Sequence, residues 1–488
     1  MHLSKSQYIK GLQCHKSLWL TKKKPQLIPK IDAQKQHLFD TGHEVGELAK
    51  QLFPGGTEIA FDRGNYQAMT EKTAEAIEDG ANVIYEASFR AHDVFIMADI
   101  IVRNGAVWDL YEVKASTRVK PYHENDAAIQ YFVLDSLIPV GKVHIVHVNK
   151  DYIFAGALNV HQLLMIADIS ETVADLQDSI KANLSSYAAM LDQDEPEISI
   201  GLHCSDPYEC DFKSYCWESV PYPSVFDLYR LGIKDKFELY HQGLVTYSDV
   251  KSMAMTPTQE LQVKTGLSGE THVDAHRIGE YISSAAYPIN FLDFETFSNA
   301  VPKYEGQQPY NGIPFQYSLH VLHADGELEH KEFLADEHSD PRPALTEHLL
   351  NDVTQVGTII AFNKGFEQSV IRSLATMFER QQNALLEMNN RFIDLIEPFR
   401  KLMYYHPGFN GSFSIKSILP ALFPDEEELS YNNLEVQGGE MAMVAYASLG
   451  QVEDEVERQH IRESLLAYCK LDTLAMVAIW RKLSNIAE

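Results

Sequence analysis

The chain has 488 residues, more than one hydrophobic core usually serves, so two or three domains are expected. Its apolar fraction of 45% is that of an ordinary globular protein, no apolar run reaches membrane-spanning length, and no apolar signal-peptide core opens the chain, so it reads as cytoplasmic with no membrane partner. A net charge of −28, from 41 basic and 69 acidic residues, weighs against a partner bound by bulk positive charge.

In chain order, residues 1–30 come first, with seven lysines and no acidic residue. Lys22, Lys23 and Lys24 form a local basic strip that could follow a phosphate backbone, or simply a solvated start. Cys14 lies in this stretch, and His43 sits on a helical pattern in TGHEVGELA. Residues 81–89, 94–102 and 107–115 are rich in β-branched and aromatic residues and read as three strands, with turn signals at His92-Asp93 and Asn104-Gly105. Asp99 falls on the second. Glu112 and Lys114 fall on the third, two residues apart and so on one face. Two carboxylates can hold a divalent metal that activates water, and a lysine can orient that water or offset phosphate charge. A helix over 124–137 carries Gln130 and Tyr131, a strand follows at 142–149, and a long helical pattern covers 159–192. Cys204, Cys210 and Cys216 come next. Four of the five cysteines thus fall in one domain, and in a reducing compartment they read as metal or cluster ligands before disulfides.

A boundary falls near 217–224, where WESVPYPS carries two prolines. Residues 225–283 read as polar helices around Gly243, either a helical hairpin that grips a nucleic-acid backbone or, preferred here, a spacer. The apolar strand 288–296 carries Asp293 and Glu295 on one face, an expensive placement unless they bind something. Strand patterns run to about 335, followed by a helix at 341–353, a strand at 357–362 and mostly helix to the end. The last strand leads into Asn363-Lys364-Gly365-Phe366-Glu367, and a late helix carries Tyr468 and Asp472. Four carboxylates can hold two metals about 4 Å apart, and a tyrosine one turn before the last acid can reach the attacking water. Asp394 is a further acid within this order.

These motifs carry two resemblances. Asp99, Glu112-Val113-Lys114, His43 and Gln130, bracketed by Cys14 and the three later cysteines, resemble the iron–sulfur RecB-like and CRISPR-associated PD-(D/E)xK exonucleases. Here five residues separate Cys204 from Cys210 and five separate Cys210 from Cys216, whereas the family's first gap is shorter. Asp293-x-Glu295, the Asn363-to-Glu367 motif and Tyr468-x-x-x-Asp472 resemble the DnaQ-like 3′–5′ exonucleases, with Glu367 where that family more often has Asp. The whole chain is similar to a bacterial family of such fusions.

The resemblance implies an α/β protein with three parts. Residues 1–220 would be a restriction-endonuclease-like domain holding a [4Fe–4S] cluster, or zinc, on Cys14, Cys204, Cys210 and Cys216. Residues 221–283 would be a helical linker, and 284–488 an RNase H-like exonuclease domain. His43, Asp99 and Glu112 would bind Mg²⁺ or Mn²⁺ in the first domain, with Lys114 and Gln130 assisting. Asp293, Glu295, Glu367 and Asp472 would bind it in the last, with Tyr468 positioning water. The implied activity is hydrolysis of DNA, with RNA as an alternative substrate, in a repair or defence complex with protein partners. A nucleic-acid-binding or assembly subunit with one or both sites silent is the reading from another class.

Overall fold

The computed structural model describes residues 2–488 and has a mixed α/β architecture. The chain divides into two compact units. The first takes in the chain up to Ser219 together with Asn299–Asn311, and the second comprises Val220–Ser298 and Gly312–Glu488. The stretch read as a linker therefore belongs to the second unit. Its own apolar residues Val225, Leu228, Tyr247, Val250 and Val263 form a buried cluster there. Among the described residues no helix is long and apolar enough to cross a membrane.

The first unit is built on a seven-stranded mixed sheet: β1 (Leu3–Ser4), β2 (Thr57–Glu58), β3 (Val83–Ala91), β4 (Val94–Asn104), β5 (Val107–Lys114), β6 (Val140–Val148) and β7 (Leu164–Asp168). The order is β2-β3-β4-β5-β6-β7, with β1 parallel to the start of β4. Strands β3, β4 and β5 are antiparallel, and β6 joins β5 in parallel. The β7 strand interrupts the helical pattern of 159–192. Its short apolar run cannot be told from helix by periodicity, and pairing with β6 decides it.

One sheet face packs on the helices Lys5–Gln13, Pro121–Leu134 and Ser170–Leu191 through Tyr8, Ile129, Val133, Ile180 and Tyr187. The first of these helices opens with a capping box, Ser4 with Gln7, which satisfies two of its free N–H donors. The other face packs on the Ala33–Lys50 helix through Val45 and Ala49, and on Ala300 and Val301. The 299–311 segment is fixed further by main-chain bonds: Phe154 N–H donates to the Gln307 carbonyl at 3.0 Å, and Gly306 N–H to the Phe154 carbonyl at 2.9 Å.

In the second unit, β8 (His272–Val273) pairs only with β14 (Tyr404–Tyr405). The main sheet contains β9 (Ile289–Phe297), β10 (Ile313–Leu322), β11 (Leu328–Leu334), β12 (Thr358–Ala361) and β13 (Phe392–Asp394), in the order β11-β10-β9-β12-β13. The first three strands are antiparallel, and β9, β12 and β13 are parallel. Leu292 and Phe294 of β9 face one core with the Pro341–Asp352 and Gly365–Met377 helices. On the opposite face of the strand, Phe291 meets Trp480 of the long Glu455–Ala487 helix.

Candidate active sites

The first site lies where β4 and β5 meet the helices Lys5–Gln13 and Pro121–Leu134. On β5, Leu110 faces the core, so Glu112 and Lys114 point the same way. Glu112 is 1% exposed. Its Oε1 accepts from Lys114 Nζ at 2.7 Å and from Lys5 Nζ at 2.7 Å, and its Oε2 accepts from Gln130 Nε2 at 2.6 Å. Lys114 also pairs with Asp126, and Lys5 lies 3.3 Å from the same carboxylate. Asp99 Oδ2 accepts from the Val113 N–H at 2.6 Å. At this point β3 and β4 shift side-chain phase, since Ala98 and Ile101 face one core and Ile100 the other. Glu86, with a left-handed φ of 54°, sits at the same place on β3.

Electrostatics separate the two acids. Burial, reinforced by repulsion from Glu112, pushes Asp99 up to about 8. Burial also opposes ionisation of Glu112, yet the Lys114 and Lys5 ammoniums hold it below the usual carboxylate range. Lys114 is held well above its ordinary value: burial opposes its charge, but Asp126 and Glu112 outweigh that. It therefore stays a cation able to hold water or phosphate by hydrogen bonds. Gln130 Oε1 is buried without a partner. Lys5 and Asp126 were not anticipated from sequence. Only the docking of their helices brings them to β5, at separations of 107 and 12 residues from the groups they meet. His43 is not drawn in. It sits on the exposed side of the Ala33–Lys50 helix and makes no hydrogen bond or ion pair with another described residue.

The four cysteines converge, although almost two hundred residues separate Cys14 from the others. All four line one small pocket together with Lys16, Ser17, His203 and Lys213. All are free thiols. Burial, with the neighbouring sulfurs, raises Cys14, and raises Cys216 to about 11. Four soft sulfur donors converging on one pocket fit a thiolate-bound metal, an iron–sulfur cluster or zinc. Lys16 and Lys213 beside them are paired with Glu195 and Glu209. Of the basic strip, Lys24 is engaged internally, donating to Glu195 at 2.8 Å and to Tyr215 at 3.2 Å. Lys22 donates to the His2 carbonyl, and Lys23 is exposed.

The second site is a cleft of about 400 Å³ at the C-terminal ends of β9 and β12. Strand alternation presents Asp293 and Glu295 together. The Glu455–Ala487 helix supplies Tyr468 and Asp472 one turn apart. Asp293, Glu295 and Asp472 each offer a ligand oxygen, all within 4.8 Å of one another. Glu367, in the first turn of the Gly365–Met377 helix, stands outside that trio but close enough to raise Asp293 by repulsion. Its Oε2 is buried without a partner. Burial and mutual repulsion push Glu295 up to about 8 and hold Asp293 well above the carboxylate range. Burial, with repulsion from Asp394, pushes Glu367 up to about 8. Burial lifts Asp472 only to about 6, because the Tyr431 and Tyr468 hydroxyls and Lys416 favour its anion.

Three buried acids and the half-buried Asp293, all resisting ionisation, with one orphaned oxygen on Glu367, fit hard divalent cations. Asp394 instead accepts from the Asn363 N–H at 2.8 Å and shapes the turn before Glu367. Cys469 points its thiol at Asp293, 3.8 Å from Oδ2, and is remote in role from the other cysteines. Tyr431 and Lys416 were missed from sequence, since nothing in their local pattern marks them.

A family model described as "Domain of unknown function (DUF2779)" matches residues 290–414. That stretch contains Asp293, Glu295, Glu367 and Asp394 and stops short of Tyr468 and Asp472. No curated protein matches the chain.

Proposed function

We propose that this protein is a metal-dependent nuclease with two separate sites for phosphodiester hydrolysis, DNA being the favoured substrate. The observation that carries the reading is the cleft of Asp293, Glu295 and Asp472 with Tyr468 lining it and Glu367 close enough to act on Asp293. A divalent ion bound there would polarise the phosphate and lower the pKa of its water. The four carboxylates would hold it. Tyr468 stays protonated, because burial and the surrounding acids hold it far above its ordinary range, so it can orient water by donating or accepting a hydrogen bond. The strand order β11-β10-β9-β12-β13 is the one expected of an RNase H-like exonuclease domain and supports the same reading.

In the first unit the Asp99–Glu112–Lys114 group with Gln130 supports a PD-(D/E)xK site. Asp99 and Glu112 would hold metal, and Lys114 would hold water or phosphate. The cysteine pocket supports a [4Fe–4S] cluster that ties Cys14 to the 204–216 loop.

The test is Mg²⁺- or Mn²⁺-dependent cleavage of end-labelled DNA and RNA, single- and double-stranded. Anaerobically purified wild type is compared with Lys114→Ala, Asp293→Ala and the double variant. Two active sites require a distinct product pattern to disappear with each single substitution and all cleavage with both. Wild type that cuts neither polymer, with four thiols metallated, would sink the proposal in favour of a binding or assembly subunit.

A further inference from the structure

Beside the carboxylate cleft lies a second groove of about 400 Å³, lined by Tyr229, Arg230, Arg400, Asn363 and Phe413. Phe362 and Ile415 line both, so the two are neighbours along one trough. The groove is basic in a chain of net charge −28. Arg400 donates to Asn363 Oδ1 at 3.2 Å, and the Arg230 guanidinium lies 5.2 Å over the Tyr229 ring. Among the described residues neither arginine makes an ion pair, and both are exposed. Tyr229 rests edge-on against Phe413, with ring centroids 4.9 Å apart.

The turn carrying Tyr229 and Arg230 is held rigidly. Gln262, 1% exposed, accepts from the Tyr229 N–H at 2.9 Å and donates to the Asp227 carbonyl at 2.9 Å. Gln259 donates to the Tyr229 carbonyl at 2.9 Å. Arg230 keeps a left-handed φ of 49°, a conformation that a non-glycine residue adopts only when its surroundings enforce it.

We propose that this groove is the path by which an unpaired nucleic-acid strand reaches the carboxylate cleft, a reading that rests on the phosphodiesterase assignment of that cleft. Two unpaired guanidiniums suit backbone phosphates, and a tyrosine beside them suits a base face freed from a duplex. A volume of about 400 Å³ has room for a base and its phosphate. Residues 221–283 then act as a wall that guides substrate, not as a spacer.

The experiment uses the full chain carrying Lys114→Ala, so that cleavage reports the carboxylate cleft alone. Binding of labelled oligothymidylate, oligouridylate and a blunt duplex is followed by fluorescence anisotropy in Ca²⁺ over a range of salt. Kinetics are measured in Mn²⁺ with the same strands and with bis(p-nitrophenyl) phosphate. Arg230→Gln with Arg400→Gln should flatten the salt dependence by about 0.7 per lost phosphate contact and raise KM for single strands. Tyr229→Ala should weaken single-strand binding about 5- to 100-fold, with Tyr229→Phe restoring it. Hydrolysis of the small diester and Mn²⁺ titration should stay at the parent level. Unchanged affinity and salt slope in the double arginine variant would overturn the path. So would a parent that hydrolyses the small diester but binds duplex as well as single strands. A parent that binds Mn²⁺ but hydrolyses nothing would bring down the phosphodiesterase reading itself.

Discussion

Glu295 and Glu367 hold their protons up to about pH 8, whereas an unfolded glutamate loses its proton near 4.3. Between those values the folded chain binds more protons than the unfolded one, so stability of the metal-free protein falls as pH rises through that window. Each such group contributes at most about 1.4 kcal/mol per pH unit. Thermal melts in EDTA should therefore show Tm dropping from pH 5 to 8, and Mn²⁺ should reverse the drop by offsetting the repulsion. A Tm independent of both pH and metal would contradict this. Glu367→Gln should raise the metal-free Tm at pH 8, because the neutral amide removes one buried acid. In the first unit the balance is opposite. Glu112 is already paired with Lys5 and Lys114, so Glu112→Ala leaves two half-buried ammoniums with Asp126 as their main counter-charge. That should cost about 3–5 kcal/mol, read by urea denaturation. The acids, Lys114 and Gln130 were legible because strand alternation and helical turns fix which neighbours share a face. Lys5, Asp126, Lys416 and Tyr431 were not, because only the packing of distant helices brings them to the acids.

At the scale of elements, the cysteine loop and the first site share a wall. Tyr208 lies between Cys204 and Cys210, and its carbonyl accepts from Gln13 Nε2 at 2.7 Å. Its ring lines the pocket that also contains Lys5, Lys114 and Asp126. Asp211 in the same loop pairs with Lys10 and with Lys35. If the four cysteines hold the proposed cluster, loss of one of them should therefore disorder this wall. Cys210→Ser is expected to lower cleavage in an Asp293→Ala background at least tenfold. The same change in a Lys114→Ala background should leave cleavage by the carboxylate cleft near its parent level. Equal losses in both backgrounds would mean that the loop matters only to general folding.

For the whole molecule, the division of the chain is not the division of the sequence. Residues 299–311 leave the second unit's strands to complete the first, where Val301 is 5% exposed in a core with Val146 and Tyr152. Burying one valine side chain contributes about 1.5–3 kcal/mol. A fragment ending at Ser219 should accordingly melt well below the first transition of the full chain, and a peptide of residues 299–311 should raise its Tm. A fragment as stable as the full chain, with no response to the peptide, would refute this. The sequence by itself determined the α/β class, the β3-to-β5 strands and the spacing of the acids, because those depend on local periodicity and on turns a few residues long. That Cys14 meets the three later cysteines was expected from the resemblance, whereas only the tertiary structure decided that 221–283 belongs to the second unit and that 299–311 belongs to the first. Those outcomes depend on which buried surfaces and hydrogen-bonding groups meet across long stretches of chain, and local sequence carries no record of that.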